Sequence, residues 1–367
     1  MRSGVGTQGW LSMSGGQLSL SRERDRLHGF VSLREFERSR GDVSQIPAEI
    51  PEELYPVVAD DVGRALTNLL GLAQPGNYAR LTSAVIDLLG ALKEAFGDRA
   101  WREAVLPAAR AHALAGLVHE CPFTRHSFMQ PRGYPGDAGL LDFVYRHPAA
   151  RLAQEAATDA GRTVMTFTVD VTACEAVRHR RSILAAKIDE TAARCDMPAI
   201  LAVASGHLRE AELSVALREG RVGRLLATDQ DPVSLSTVDG YRASISDAIE
   251  TRQVTVRNIL AGKADLGRFD LIYAAGLYDY LDARVAARLT RILFDQLNDG
   301  GRLVIPNFLW GVPEEAYMEV YMDWYLLYRS RDEIERFAQD LEPSAVRKTT
   351  YTEDAAGVIG YLELERV

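Results

Sequence analysis

The sequence predicts an α/β fold in its second half, preceded by a helical half. Three observations predict it. An apolar run, Ile200–Ala204, stops at Ser205-Gly206, and the residues from Leu208 read as a helix. Strand, tight turn and helix open a nucleotide-type α/β domain. A second apolar run, Gly223–Thr228, ends about 20 residues later in Asp229, where a carboxylate can meet ribose hydroxyls. Further on, FDLIYAAG and GGRLVIPN each read as a buried strand, ending in small residues or asparagine. With one glycine in place of three, the first turn alone leaves a cofactor turn and an ordinary α/β turn equally open.

The elements follow in order. Residues 1–45 are expected to form a partly mobile extension, rich in Gly, Ser and Gln, then dense in mixed charge around Arg22–Arg40. From Pro51 to Cys121, apolar residues recur at three- and four-residue spacing (Leu66, Leu69, Leu70, Val85, Leu88, Leu89, Leu92, Phe96). That is the spacing of amphipathic helices. Ala173–Arg194 reads as a helix leading into the first strand. A helical domain at 46–196 and an α/β domain at 197–367 are therefore expected. In the latter, Val233–Ile245 and Ala283–Leu297 read as helices and Arg252–Arg257 as a strand ending at Asn258. Phe269–Tyr273 is a strand, and Ala345–Thr352 with Gly357–Glu365 forms a closing pair. The leucine and alanine faces of the helical half exceed what one small bundle needs, which predicts a homodimer.

Composition narrows the function. The chain has 367 residues, 47% of them apolar, enough for a large core. A net charge of −9 argues against a nucleic-acid surface, which needs a basic patch. No apolar run reaches the ~18–20 residues that span a bilayer, and the first residues lack the apolar core of a signal peptide. The expectation is a cytoplasmic protein that binds neither nucleic acid nor membrane. Cys121, Cys174 and Cys195 form no paired motif and are read as reduced. His119, Cys121 and His126 crowd one stretch, but three ligands fall short of a structural zinc site, so no metal is expected.

Two segments carry further chemistry. Gln130–Asp137, QPRGYPGD, has two prolines and two glycines, so Arg132, Tyr134 and Asp137 project from a stiff loop. The simpler reading is a turn whose arginine and aspartate cap helices. After the fifth strand, NFLWGVPEEAYMEVYMDWYLLYRS places Tyr317, Tyr321, Trp324 and Tyr328 on one face of a helix. That face either docks on the core or walls a pocket at the carboxyl end of the sheet.

On these motifs the chain resembles class I S-adenosylmethionine-dependent methyltransferases. The strand–glycine turn–helix, Asp229, the FDLI and GGRL strands and the C-terminal hairpin carry the likeness. The RGYPGD loop and the NF…YME…DW…YR string are similar to a subgroup that forms methyl esters of 3-hydroxy fatty acids. The departures are Ser205, where cysteine is common, and His207-Leu208, where Pro-Ala is frequent. The resemblance implies a Rossmann-like seven-stranded sheet with an antiparallel C-terminal hairpin, an aromatic insert at 307–329, and S-adenosylmethionine as cofactor. It places Ser205, Gly206 and His207 near the methionyl end and Asp229 at the ribose, with Glu210 in the cofactor-binding set through its charge on the first helical turn. Gln230 and Asn258 flank the adenine, with Ala274 and Gly276 beneath the sulfonium. For a small-molecule acid acceptor, Arg132 is the carboxylate fork, with Tyr134, Asn307 and Asp137 around it. Tyr278, Tyr317, Tyr321 and Trp324 would line the pocket.

A carboxylate is ionised at neutral pH and needs no base. A phenol, amine or carbon acceptor would need one, from His207, Asp137 or Glu319. A nicotinamide-dependent dehydrogenase and a catalytically silent scaffold remain the rival classes; the single-glycine turn disfavours the first, since a pyrophosphate needs closer approach.

Overall fold

The computed structural model describes residues 50–367. The extension expected over residues 1–45, with its charged segment, lies outside them. In chain order the longer elements are α1 (Tyr55–Leu70), α2 (Tyr78–Ala100), α3 (Leu106–Ala111), α4 (Pro122–Met129), α5 (Ala138–Val144), α6 (Asp159–Thr168) and α7 (Thr172–Arg194). Then come β1 (Ala199–Val203), β2 (Arg224–Asp229), α8 (Pro232–Tyr241), β3 (Ile249–Gln253), β4 (Phe269–Tyr273), α9 (Ala283–Asp295) and β5 (Leu297–Phe308). The chain closes with α10 (Glu315–Tyr321), β6 (Val346–Glu353) and β7 (Ile359–Arg366). No helix among the described residues is long and apolar enough to cross a membrane.

These elements form two compact units, and the break is not the single cut expected at 196/197. One unit holds the described part of Met1–Met129, with Leu152–Thr168 and Pro313–Trp324. The other holds Gln130–Arg151, Val169–Val312 and Tyr325–Val367. Side-chain burial explains the redistribution. Leu184 and Ile188 of α7 pack with Ile200, Ala202, Leu225 and Leu271 of the sheet, so α7 joins the sheet.

In the sheet unit seven strands lie in the order β3-β2-β1-β4-β5-β7-β6. β1 to β5 pair in parallel, and β7 runs antiparallel to both β5 and β6. This is the seven-stranded sheet and closing hairpin expected from the sequence. Along β1, alternate residues serve opposite faces. Ile200 and Ala202 face the α7 side, while Leu201 and Val203 meet Ala286, Leu289 and Leu293 of α9. β3 begins three residues earlier than expected, and it ends at Gln253 because Thr255 caps a short helix, Val256–Leu260, through the Asn258 N–H. The chain leaves β1 in one direction for β2 and β3, then returns on the other side to β4. The carboxyl ends of β1 and β4 therefore border the crevice where such sheets bind ligands.

The helical unit buries the stripe read from the sequence: Leu66, Leu69, Val85, Leu88, Leu89, Leu92 and Phe96 are all under 2% exposed.

In the same unit α10 corrects the aromatic stripe. The helix stops at Tyr321, and Asp323 is left-handed (φ 48°), so Trp324 and Tyr328 do not continue its face. The cause lies in side chains from other helices. Arg110 Nε donates to the Val320 carbonyl at 2.9 Å, with further bonds to the Glu319 carbonyl and Asp323. The His119 ring meets the Tyr321 carbonyl, and Ser127 Oγ donates to that of Met322. The last carbonyls of a helix lack internal partners, and here they are all claimed. Glu319 is fixed by Lys93 and by the Trp101 indole at 2.6 Å. Arg110→Ala is therefore expected to lower the unfolding free energy by about 2–3 kcal/mol, with Arg110→Lys restoring only part. The shift in the urea midpoint measures it, and an unchanged midpoint would show that the arginine does not hold α10.

Candidate functional site

The turn after β1 is built differently from the expected strand–turn–helix. Ala204, Gly206 and Leu208 have φ of 52°, 53° and 49°. Left-handed residues at alternate positions cannot enter an α-helix. The chain reaches helical geometry only at the short Val215–Arg218 segment. Backbone and side-chain bonds hold the turn instead. Ser205 N–H donates to the Thr228 carbonyl at 2.9 Å and Gly206 N–H to Asp229 Oδ2 at 2.8 Å. The Tyr241 hydroxyl donates to the carbonyls of His207 and Leu208. Glu210, expected to act on a first helical turn, instead accepts the Tyr273 hydroxyl at 2.8 Å inside the core, and burial pushes its carboxyl up.

A charged network locks this turn to the RGYPGD segment. His207 Nδ1 donates to Asp142 Oδ2 at 2.9 Å, while Nε2 accepts from Arg132 Nη2 at 3.2 Å. The guanidinium can only donate, so the ring proton sits on Nδ1. Arg132 Nη1 also binds Asp231 Oδ2 at 2.6 Å and Ser234 Oγ at 2.7 Å. Asp231 is the N-cap of α8. On the other side Arg209 grips Asp142 with Nε at 2.8 Å and Nη2 at 3.0 Å. Burial opposes ionisation of Asp142, but the bonds from His207 and Arg209 outweigh it and hold its carboxyl at about 2. Asp142 is absent from the residues singled out in the sequence. Its one signal is a lone charge inside the apolar run AGLLDFV.

The remaining expected residues divide. Tyr134 lies beside Asp229, Asp231 and Asp137, and burial with those charges raises its phenol above the usual range. Asp137 is fully buried and caps α5 by accepting the Leu140 N–H at 2.8 Å, the capping role weighed above. Arg132, expected as an acceptor fork, spends its N–H groups on Asp231, Ser234 and His207. Asn307 is also committed: Oδ1 accepts from Arg329 at 2.6 Å and Nδ2 donates to the Phe308 and Leu327 carbonyls. Tyr278 is corrected from pocket to core, its hydroxyl on Thr290 Oγ1 at 3.1 Å and its ring 5.2 Å from Phe337. Tyr317, Tyr321 and Trp324 belong to the helical unit, where Tyr317 bonds Thr124 at 3.0 Å. Gln230 and Asn258 are exposed, Ala274 is buried at the end of β4, and Gly276 follows it. His119 and Cys121 have separate partners, Tyr321 and Thr124, and among the described residues no cluster of His, Cys, Asp or Glu forms a metal site.

Three features test whether the turn suits S-adenosylmethionine. Ser205 Oγ is buried without a hydrogen-bond partner, so a polar group is wanted there. Gly206 is left-handed, and a Cβ would lie 3.1 Å from that of Ala138, so the turn is kept bare beneath α5. Each Asp229 oxygen accepts one backbone N–H, from Gly206 and Asp231, and keeps capacity for a diol. The residues fit the cofactor.

Because the Asp142 carboxyl is depressed, the stability it contributes is present above the unfolded carboxylate range and lost as pH falls toward about 2. Asp142→Asn should cost about 3–5 kcal/mol, since it leaves Arg209 buried and poorly paired. It should also flatten the acid limb of the melting temperature below pH ~4. Melting curves from pH 2 to 7 check this; an equally steep acid limb in the variant would remove Asp142 as its source.

No family model and no curated protein matches the chain. Solved structures do resemble it. A possible exported protein from Bordetella parapertussis is 14% identical over 69% of this chain and 95% of its own, with a TM-score of 0.47. Magnesium protoporphyrin IX methyltransferase from Synechocystis PCC 6803, with bound S-adenosylhomocysteine, is 10% identical over 53% and 88%, at 0.40. The N-methyltransferase NodS from Bradyrhizobium japonicum WM9 is 14% identical over 52% and 96%, at 0.37. With TM-scores below 0.5 these likenesses carry no weight for function, which rests on the site's own geometry.

Proposed function

We propose that the chain transfers a methyl group from S-adenosylmethionine to the carboxylate of a small organic acid. The observation that carries this reading is the convergence at the ends of β1 and β2. There a bare Gly206, a partnerless Ser205 hydroxyl and a buried Asp229 lie under the RGYPGD segment. The bound cofactor would supply a methyl group activated on a sulfonium cation. Ser205 and Gly206 would meet its methionyl side, Asp229 its ribose hydroxyls, and Ala274 and Gly276 would form the floor at the end of β4.

The chain's own groups favour an acceptor that arrives already ionised. His207 cannot serve as a base, because its acceptor nitrogen is occupied by Arg132. Asp137 is spent on a helix cap and Glu319 on Lys93 and Trp101. Tyr134 is held neutral by burial and nearby carboxylates. With these four candidates among the described residues engaged, catalysis would reduce to holding two reactants in line and excluding water. A nicotinamide dinucleotide fits less well. Its pyrophosphate needs the N–H groups of a helix entering directly from the turn, and that helix does not form here.

Asp229→Ala is expected to weaken S-adenosylhomocysteine binding by about 1–3 kcal/mol, the loss of charge-assisted bonds to a diol. Calorimetry on a variant that still melts cooperatively decides it, and unchanged affinity would remove the ribose role. Turnover should also stay level from about pH 6 to 9, where neither a carboxylate nor a raised tyrosine titrates. A steep rise with pH in the chemical step would overturn the carboxylate acceptor in favour of a phenol or amine.

A further inference from the structure

Arg180 of α7 is only 4% exposed, and its Nε–H has no hydrogen-bond partner. Among the described residues it makes no ion pair. A buried charge is costly unless an opposite charge meets it, so this guanidinium calls for an anion. It sits at the carboxyl end of β4: Nη2 is 3.5 Å from where a Gly276 Cβ would be. Its polar neighbours are Tyr145, Glu210, Asp279 and Tyr361. Arg180 attracts both acids, but neither comes within ion-pair distance of it, and each is held by another donor: Glu210 by the Tyr273 hydroxyl and Asp279 by the Phe308 N–H at 2.7 Å, while burial pushes both carboxyls up. On β7 the Tyr361 hydroxyl is likewise buried without a partner. Two unsatisfied donors, one of them charged, thus neighbour each other, with the guanidinium beside Gly276.

We propose that Arg180 and Tyr361 form a carboxylate-binding site at the end of β4. One carboxylate oxygen accepts from the guanidinium and the other from the phenol, which satisfies both orphaned donors. The inference rests on the methyl-transfer reading, in which two carboxylates reach this edge: the α-carboxylate of the methyl donor and that of the acceptor. Either supplies the same chemistry, and binding measurements separate them.

The variants are Arg180→Lys, which keeps charge and stem but loses the planar fork, and Tyr361→Phe, which removes one hydroxyl. Each is titrated by calorimetry with S-adenosylhomocysteine and with methylthioadenosine, which keeps the nucleoside and sulfur but lacks the amino-acid end. The homocysteine-loaded protein is then titrated with octanoate as a simple acid. The expected result is a loss of about tenfold for Arg180→Lys, smaller for Tyr361→Phe, in a carboxylate-bearing probe, with methylthioadenosine unchanged. A loss for S-adenosylhomocysteine assigns the site to the donor's carboxylate; a loss for octanoate alone assigns it to the acceptor's. Affinities kept within about twofold for both probes in both variants overturn the site. So does a parallel loss of methylthioadenosine, which would mark a structural role. Wild-type protein that binds neither nucleoside overturns the methyl-transfer reading, and this site with it.

Discussion

The carboxyl edge of the sheet depends on the hydrogen-bonded chain that runs from Asp142 through His207 and Arg132 to Asp231. Left-handed backbone costs about 1–2 kcal/mol per non-glycine residue, and the turn after β1 contains two, Ala204 and Leu208, around Gly206. A helix would avoid that cost but would direct the ring of His207 elsewhere. Here the imidazole bridges two charged groups, each held by another element: Asp142 by Arg209, and Arg132 by the N-cap of α8. Loss of any link leaves a buried charge unmatched, so the turn, the loop and α8 are expected to hold or fail together.

This dependence explains which parts of the site were legible in the sequence. Strands announced themselves, because a buried parallel strand is an apolar run with defined ends: β1, β2 and β4 match such runs to within a residue, while β5 contains its run but starts earlier, at Leu297. The closing hairpin and the long helices were equally local signals. The turn was not. Its missing helix follows from Asp142, which lies 65 residues before His207 and whose importance comes wholly from its partners. Spacing rules describe what neighbours in sequence prefer. A left-handed turn stabilised by distant charges is a tertiary override of that preference.

The aromatic string failed for the same reason. Tyr317, Tyr321, Trp324 and Tyr328 have helical spacing, yet Arg110, His119 and Ser127 claim the carbonyls that a continuing helix would use. The chain then leaves the helical unit, and Tyr328 stacks near Phe308 and Trp310 in the sheet unit. In the RGYPGD loop, the reading that needed least from the sequence, helix capping, accounts for what Asp137 touches and for how Arg132 reaches α8 through Asp231. Stiffness was legible from its prolines and glycines. The direction of each side chain was not, because it is set by partners near residues 207 and 231.

Those commitments shape the chemistry that remains open to the site. A base must have a free lone pair near the reacting atom, and the nearby candidates have theirs engaged or are held protonated by burial. What is left unsatisfied are the Ser205 and Tyr361 hydroxyls and the Nε–H of Arg180. A charged donor beside a hydroxyl suits an anionic group, which supports the carboxylate reading proposed above. Methyl transfer from a sulfonium to a carboxylate cancels two charges as it proceeds, so low polarity around the reacting pair helps it. The donors must therefore stand at the far end of the carboxylate, where they aim it without stabilising its charge so strongly that the nucleophile is lost. Arg180 and Tyr361, proposed above as a carboxylate site, would meet that condition with two separate donors in place of one arginine fork.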